Sequence, residues 1–260
     1  MGTAPLRISV LTACRNSAKT IRHTLDSFFE QDYPDGEIVV VDALSEDETL
    51  DIVRSYPQDR MIVLSEADSG MYDGLNKALA LCTGDAVGVL NSDDAYHDSS
   101  ALDRIAEALA AADIVHGHLN FVNDHVDKQI LRCWRASQPP THRFRSGWMP
   151  AHPTFYVRRA VAQAVGPFDL TLTVASDYDW MLRAIELHDF RTALIDHVLI
   201  DMMQGGKSTS GWRSHIGHNL EALRSRQQWL GSGRLDYALI AKPARKVGQF
   251  ISRASARAGA

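Results

Sequence analysis

Apolar residues first arrive in short continuous runs, ISVLTA (8–13), EIVVVDA (37–43), MIVLS (61–65) and DAVGVLN (85–91), rich in β-branched side chains and bounded by polar or turn residues. Between the runs the spacing changes. Ile21, Leu25 and Phe28 recur at helical intervals. Leu50 and Val53 continue a short helix that opens at an S-x-x-E capping box, Ser45 and Glu48, and stops before Pro57. Met71, Leu75, Ala78, Leu79 and Cys82 mark one face of a third helix, with Gly84 suited to its C-terminal cap. Strands that are apolar on both faces and alternate with helices predict an α/β fold, a mostly parallel sheet flanked by helices. A helix over 99–112 and a strand DIVHG (113–117) follow. From about residue 118 to 150 the pattern loosens into strands and loops (LNFV, KQILRCW, QPPTHRFRSGWMP). Order returns with TFYVRRAVAQAVGPFD, the helical SDYDWMLRAIELH and a strand FRTALI. There is no internal repeat and no low-complexity segment.

Ligands of such sheets bind beyond the carboxyl ends of the strands. That edge holds Thr12, Asp42, the segment SEADSG (65–70) and the two acids of VLNSDDA (89–95). Asp93 and Asp94 either cap a helix or offer hard oxygen ligands to Mg2+ or Mn2+. No Gly-rich phosphate loop of the G-x-G-x-x-G or G-x-x-x-x-G-K type is present, which leaves a cation to neutralise any bound diphosphate. Asp42 either closes a strand-terminal turn or accepts hydrogen bonds from a nucleobase or ribose.

Composition narrows the class. With 260 residues, 45% of them hydrophobic, the chain can fill a sizeable core. Cys14, Cys82 and Cys133 lie far apart without C-x-x-C spacing, so neither a zinc site nor a disulfide framework is expected, and a reducing cytoplasm fits best. The apolar runs are strand-sized, and Arg7 and Arg15 bracket the first too closely for a signal-peptide core or membrane span. Leu6 also stands where a myristoylation signal needs Ser or Thr. The net charge of -5 conceals an acidic body and a basic tail: from Arg213 onward there are nine basic and two acidic residues, giving +7 against -12 for the first 212. Val247, Phe250, Ile251 and Ala254 can share one helical face while Arg245, Lys246, Arg253 and Arg257 supply charge. That is the pattern of a helix lying on an anionic membrane surface.

Taken together, ISVLTACRNSAKTIRHTLDSFFEQDYPDGEIVVVDALSEDETLDIV, SEADSGMYDGLNKAL, TGDAVGVLNSDDAY and HPTFYVRRAVAQAVGPFD with ASDYDWMLR resemble glycosyltransferase family 2. Members are inverting enzymes of the GT-A fold that use nucleotide-diphospho-sugars. The likeness runs in order from about Ile8 to Ser208 and is nearest to the bacterial members that build surface polysaccharides and glycolipids. It implies a GT-A domain over 1–212, with a nucleotide-sugar half (1–117) and an acceptor half (118–212), before a basic helical extension (213–260).

Carried over by position, the resemblance implies that Thr12, Arg15 and Asn16 belong to the nucleotide pocket, with Asp42 and Ser45 near the base and Asp68, Gly70 and Asn76 along the nucleotide and donor sugar. Asn91-Ser92-Asp93 takes the D-x-D position, which makes Asp93 the ligand for Mn2+ or Mg2+ and Asp94 its neighbour at the donor. ASDYDW takes the place of the motif supplying the catalytic base, and Asp177 aligns with that base. Asp179 would orient the helix or the acceptor. His152 in HPTF matches a recurring His and is either an acceptor-side residue or a buried structural one.

Two departures bear on this. Met202 and Met203 in DMMQGGKS stand near the place where many relatives carry a further metal-binding His, leaving His197, His215 and His218 as candidates for a third ligand. Arg226-Gln227-Gln228-Trp229 is close to the Q-x-x-R-W signature of processive synthases without matching it, which implies one sugar added per encounter. The implied partners are a nucleotide-sugar donor, with UDP the commonest nucleotide, and a lipid-linked or saccharide acceptor, with no nucleic acid. A sugar-1-phosphate nucleotidyltransferase would instead release pyrophosphate and carry an N-terminal Gly-rich loop, whereas LTACRNSAKT contains no glycine. A non-catalytic nucleotide-sugar binding module is the third reading, and a hydrolysis assay with donor alone separates it.

Overall fold

The computed structural model describes residues 6–140, 143–204 and 212–231, with backbone alone for 212–216. The four apolar runs form β1 (Ile8–Cys14), β2 (Gly36–Asp42), β3 (Met61–Ser65) and β4 (Ala86–Val89), all parallel in the order β3-β2-β1-β4. Intervening helices are α1 (Ile21–Phe29), α2 (Thr49–Arg54) and α3 (Met71–Leu81). Beyond β4 come β5 (Asp94–Tyr96), α4 (Ala101–Ala111), β6 (Ile114–Val122), β7 (Ile130–Trp134), β8 (Tyr156–Arg158), α5 (Arg159–Val165), α6 (Ser176–Glu186), β9 (Thr192–Met203) and α7 (Trp212–Leu230). Here the sheet turns mixed. β8 lies antiparallel between β4 and β6, β9 runs parallel to β6, and β5 pairs antiparallel with the end of β9. β7 hangs on β6 as a hairpin partner.

Alternate residues of the buried strands feed two apolar clusters on opposite faces. Val10, Ile38 and Val40 pack with Leu25, Phe28, Leu102 and Ile105 of α1 and α4. Leu11, Val39 and Val89 pack with Leu75 of α3, Val161 of α5 and Met181 and Leu182 of α6.

Several local expectations are corrected. Ser45 and Glu48 form no capping box: α2 starts at Thr49, whose N–H donates to the Asp47 carboxylate at 3.0 Å, while Ser45 is drawn away to Asp42. Gly84 is not the cap of α3, which ends at Leu81 and is capped by Cys82; a Cβ at Gly84 would sit 2.7 Å from the Ser9 backbone nitrogen, so glycine there permits close approach to β1. Met71 is exposed, and Tyr72 turns inward in its place. The division at 117/118 falls inside β6, which continues through a register shift against β9 beside Gly117, where a Cβ would come within 2.7 Å of the Leu199 side chain. The extension expected from residue 213 begins as α7, and α7 packs on α6 as part of the body up to Leu230. The amphipathic segment 243–260 lies outside the described residues. Among the described residues no helix is long and apolar enough to cross a membrane.

Gly88 on β4 faces Tyr156 on β8, and a Cβ there would come within 2.2 Å of the ring. Tyr156 is fully buried and shares a 2.6 Å hydrogen bond with the Tyr96 hydroxyl, so the ring has nowhere to go. Gly88→Ala is therefore expected to destabilise the fold by about 1–3 kcal/mol. Chemical denaturation measures this, and an unchanged midpoint would contradict the packing described.

Candidate functional site

β4 ends at Val89, and the chain turns through Asn91 and Ser92 into β5. Because β5 pairs with β9, the two acids do not share one environment. Asp93 is half-buried, and its backbone carbonyl accepts a 2.7 Å hydrogen bond from His125 Nε2. Asp94 is fully buried, receives Asn91 Nδ2 on Oδ2 at 2.8 Å, and has no hydrogen-bond partner on Oδ1. Burial raises the Asp93 carboxyl above its usual range, against its own backbone N–H and nearby His125. Asp94 is pushed well above that range, by burial first and then by the charge of Asp93, with weaker opposition from Asn91 and the Met203 backbone. Two adjacent desolvated carboxyls, one with an orphaned oxygen, make a place where positive charge is favoured.

The β1 and β2 loops are knitted to each other beside this turn. The Asn16 N–H donates to Ser45 Oγ at 2.8 Å and Asn16 Oδ1 accepts from the Glu46 N–H at 2.9 Å. Asn16 and Leu44 adopt left-handed φ of 51° and 52°, which Asn tolerates and Leu does not readily adopt. Ser17 joins this loop to the acids through a 3.0 Å contact between its hydroxyl and that of Ser92. Arg15 is exposed on the same loop.

Two residues expected to present side chains to a nucleotide are spent internally. Thr12 is fully buried and donates its hydroxyl to the Leu90 carbonyl at 2.7 Å, tying β1 to the end of β4. Asp42 is fully buried as well; it accepts from the hydroxyl and N–H of Ser45 and from Ser65 Oγ at 2.8 Å, so it fixes the loop geometry. Asp68 accepts the Gly70 N–H at 3.0 Å, and Gly70 has the positive φ, 136°, that this turn into α3 requires. Asn76 is likewise engaged, as an amide clamp: its Nδ2 donates to the Phe168 carbonyl at 3.0 Å and its Oδ1 accepts the Phe168 N–H at 2.8 Å.

Asp177 stands in the first turn of α6, where the helix dipole favours a carboxylate. Its Oδ1 accepts from the Tyr178 N–H at 2.8 Å and from the Tyr72 hydroxyl at 3.1 Å. Its Oδ2 has His152 Nδ1 3.9 Å away. His152 belongs to a short 3-10 turn, His152–Thr154, and burial holds its basicity down although Asp177 works the other way. Asp179 points elsewhere: it binds Arg183 Nε at 2.8 Å and Trp229 Nε1 of α7 at 2.8 Å. Glu221 of α7 accepts the N–H groups of Thr173, Val174 and Ala175, the residues that lead into Asp177.

Of the His residues considered as a third ligand, His197 is paired with Asp98 at 2.7 Å and His218 packs edge-on against Tyr178; the side chain of His215 lies outside the described residues. No group of three His, Cys, Asp or Glu side chains converges as a cation cage among the described residues. Sequence reasoning missed Tyr72, His125 and Glu221, and it named Trp229 only within the 226–229 segment, not as a partner of Asp179. Only Tyr72 left a usable signal, since Tyr72 and Asn76 are four apart and share a helix face.

Known proteins resemble this chain in sequence and fold. The sequence model of glycosyl transferase family 2 matches residues 9–164. A PGL/p-HBAD biosynthesis glycosyltransferase of Mycobacterium bovis (strain BCG / Pasteur 1173P2) is 28% identical over 186 residues, covering 69% of this chain and 70% of that protein. Among solved structures, Staphylococcus aureus TarS 1–349 in complex with UDP-GlcNAc superposes with a TM-score of 0.69 at 22% identity, over 90% of this chain and 69% of that one. The mannosyltransferase PcManGT of Pyrobaculum calidifontis, in complex with GDP-Man and Mn2+, gives 0.65 at 20% identity, over 99% and 77%. The fold is thus the GT-A fold of these glycosyltransferases.

The raised carboxyl of Asp94 carries a pH signature. A carboxyl with a folded pKa above its unfolded one makes the folded state bind more protons, which subtracts stability at neutral pH and ceases to do so as pH falls to the ordinary carboxylate range, about 4. Asp94→Asn is expected to melt a few degrees above the parent at pH 7 without divalent metal, with the advantage shrinking on acidification. Added Mn2+ should raise the melting temperature of the parent more than that of the amide variant. A variant that melts below the parent at neutral pH would contradict the assignment.

Proposed function

The chain belongs to glycosyltransferase family 2, and from that membership we propose that it transfers one sugar per encounter from a nucleoside-diphospho-sugar to a hydroxyl of a lipid-linked or saccharide acceptor, with inversion at the anomeric carbon. The reaction would serve the assembly of a cell-surface glycolipid or polysaccharide. The similarity to a PGL/p-HBAD biosynthesis glycosyltransferase supports that setting, and the UDP-GlcNAc and GDP-Man bound by the fold neighbours support the donor class, with UDP our first choice. A lipid-linked acceptor would bring the enzyme to the cytoplasmic face of a membrane, where the basic tail of the sequence would find anionic headgroups.

One observation carries the reading: the unpartnered, buried Oδ1 of Asp94 beside Asp93, at the end of the central strand. Asp93, with Asp94 behind it, would hold Mg2+ or Mn2+, and the donor diphosphate would complete the coordination that the described residues leave open. When bound, the cation supplies charge neutralisation for the departing diphosphate. Arg15, Asn16 and Ser45 would line the nucleotide, on a loop pair whose shape Asp42 and Thr12 fix from inside. The segment 68–70 would lie along the donor, held to α3 by the Lys77 amine on the Ala67 carbonyl at 2.6 Å and on Glu66 at 2.9 Å.

Asp177 Oδ2 would take the proton of the attacking acceptor hydroxyl while Oδ1 stays fixed by its two donors. Attack from the face opposite the leaving group inverts the centre in one displacement. His152, close to Oδ2, would face the acceptor and shape its approach.

Asp177→Asn keeps size and most hydrogen bonding but removes the proton acceptor, so turnover is expected to fall by about a hundredfold or more while donor binding survives. Asp179→Asn should instead lower the melting temperature, because Arg183 and Trp229 lose their shared carboxylate. Near-native turnover for Asp177→Asn, with Asp179→Asn inactive yet folded, would reverse the two roles. Chelation by EDTA should abolish turnover and Mn2+ or Mg2+ restore it. Full activity in EDTA would exclude the metal role.

A further inference from the structure

The base lies in the acceptor half of the chain, yet one of the two groups that fix it comes from the donor half. Tyr72, in the first turn of α3, donates its hydroxyl to Asp177 Oδ1 across 105 positions of sequence. Its ring is buried and lies parallel to Phe168, centroids 5.9 Å apart. Phe168 in turn meets His152 edge-on at 6.1 Å and stacks on Trp180 of α6 at 5.3 Å. The backbone of Phe168 is held from both sides by the Asn76 amide, one turn after Tyr72 on the same helix face. Tyr72 and Asn76 thus grip the base-bearing region at two points, one through the carboxylate and one through the aromatic residue that supports both His152 and α6.

We propose that Tyr72 is a positioning residue for the transfer reaction: its hydroxyl, with the Tyr178 N–H, pins Asp177 Oδ1 so that Oδ2 alone is presented to the acceptor hydroxyl, and the Asn76 clamp on Phe168 keeps Tyr72 at that distance. The inference rests on Asp177 being the base. A carboxylate held by one donor swings about its last side-chain bond and spends part of its time with the wrong oxygen, or none, facing the nucleophile. Two donors on the same oxygen remove that freedom before the acceptor arrives, which is the kind of prepaid ordering that lowers a barrier. The hydroxyl also raises its own resistance to ionisation: burial and the neighbouring charge of Asp177 push the Tyr72 phenol far above its ordinary range, so it remains a donor at any working pH. The same geometry reassigns Asn76, which the sequence put along the donor sugar, to the support of the base.

The test is a double-mutant cycle on the full chain, with donor and acceptor kinetics measured separately. Tyr72→Phe keeps the ring, its stacking on Phe168 and the fold, and removes only the donor. It is expected to lower kcat about tenfold or more, leave the KM for the donor unchanged, and cause no further loss when added to Asp177→Asn. Asn76→Ala should lower kcat without raising the donor KM. Native kcat for Tyr72→Phe, a loss that persists in the Asp177→Asn background, or an effect of either variant confined to the donor KM would overturn the proposal. If Asp177→Asn itself keeps near-native turnover, the base assignment fails first. If Asp177→Asn is inactive while Tyr72→Phe is native, only this inference fails.

Discussion

A four-residue strand joins the two halves of this protein. β4 has a parallel neighbour on one side and an antiparallel one on the other, and Gly88 is what lets Tyr156 of β8 come close enough to pair. The sheet changes character across that seam, and the chain leaving β4 must immediately turn out of it. The residues at that exit are Asn91, Ser92, Asp93 and Asp94. Their chemistry is a consequence of where they leave the sheet: β5 pairs with β9, buries Asp94 completely and leaves one carboxyl oxygen without a partner. Burying such a group costs free energy, and the fold tolerates it at the point where a cation and a diphosphate would repay the cost.

The carboxylate on α6 obeys a different logic. Asp177 is held by hydrogen bonds: in the first turn of α6, its Oδ1 is fixed by a backbone N–H and a tyrosine hydroxyl. α7 contributes from outside through Glu221, which gathers three backbone N–H groups ahead of Asp177, and through Trp229 on Asp179. The two carboxylate groups therefore sit in opposed electrostatic settings, one hungry for positive charge and one already satisfied on a single oxygen. That separation would suit a reaction in which one group holds a cation that neutralises a departing anion and the other collects a proton.

The sequence made the first half of the fold legible because its strands are continuous apolar runs and its helices are amphipathic. The four parallel strands and the helices around them fell where the periodicity put them. Beyond residue 112 the signal weakened for physical reasons. β6 carries His116, His118 and Asn120 inside the sheet and β9 passes through Asp196 and His197, so only pieces of each (DIVHG, LNFV, FRTALI) read as strands, and β5 is too short, at three residues, to show a pattern. Among the site residues, Asp93 and Asp94 could be placed at the ligand edge of the sheet from their position after β4, whereas Asp177 was singled out only through the family resemblance. The internal engagement of Thr12, Asp42 and Asn76 was not readable, because a polar residue at a strand end looks the same whether it faces a ligand or ties two loops. Tyr72 on Asp177 and Glu221 on the α6 entrance join residues too far apart in the chain for any local pattern to link them.

In the proposed reaction, a donor anchored through a cation at Asp93 and Asp94 would be attacked in one step by a hydroxyl that Asp177 deprotonates. Proton NMR of the freshly formed glycoside, read against the anomeric configuration of the donor, tests it most directly. A single displacement gives the opposite configuration in the product. Retention of the donor configuration would exclude a single displacement from the opposite face.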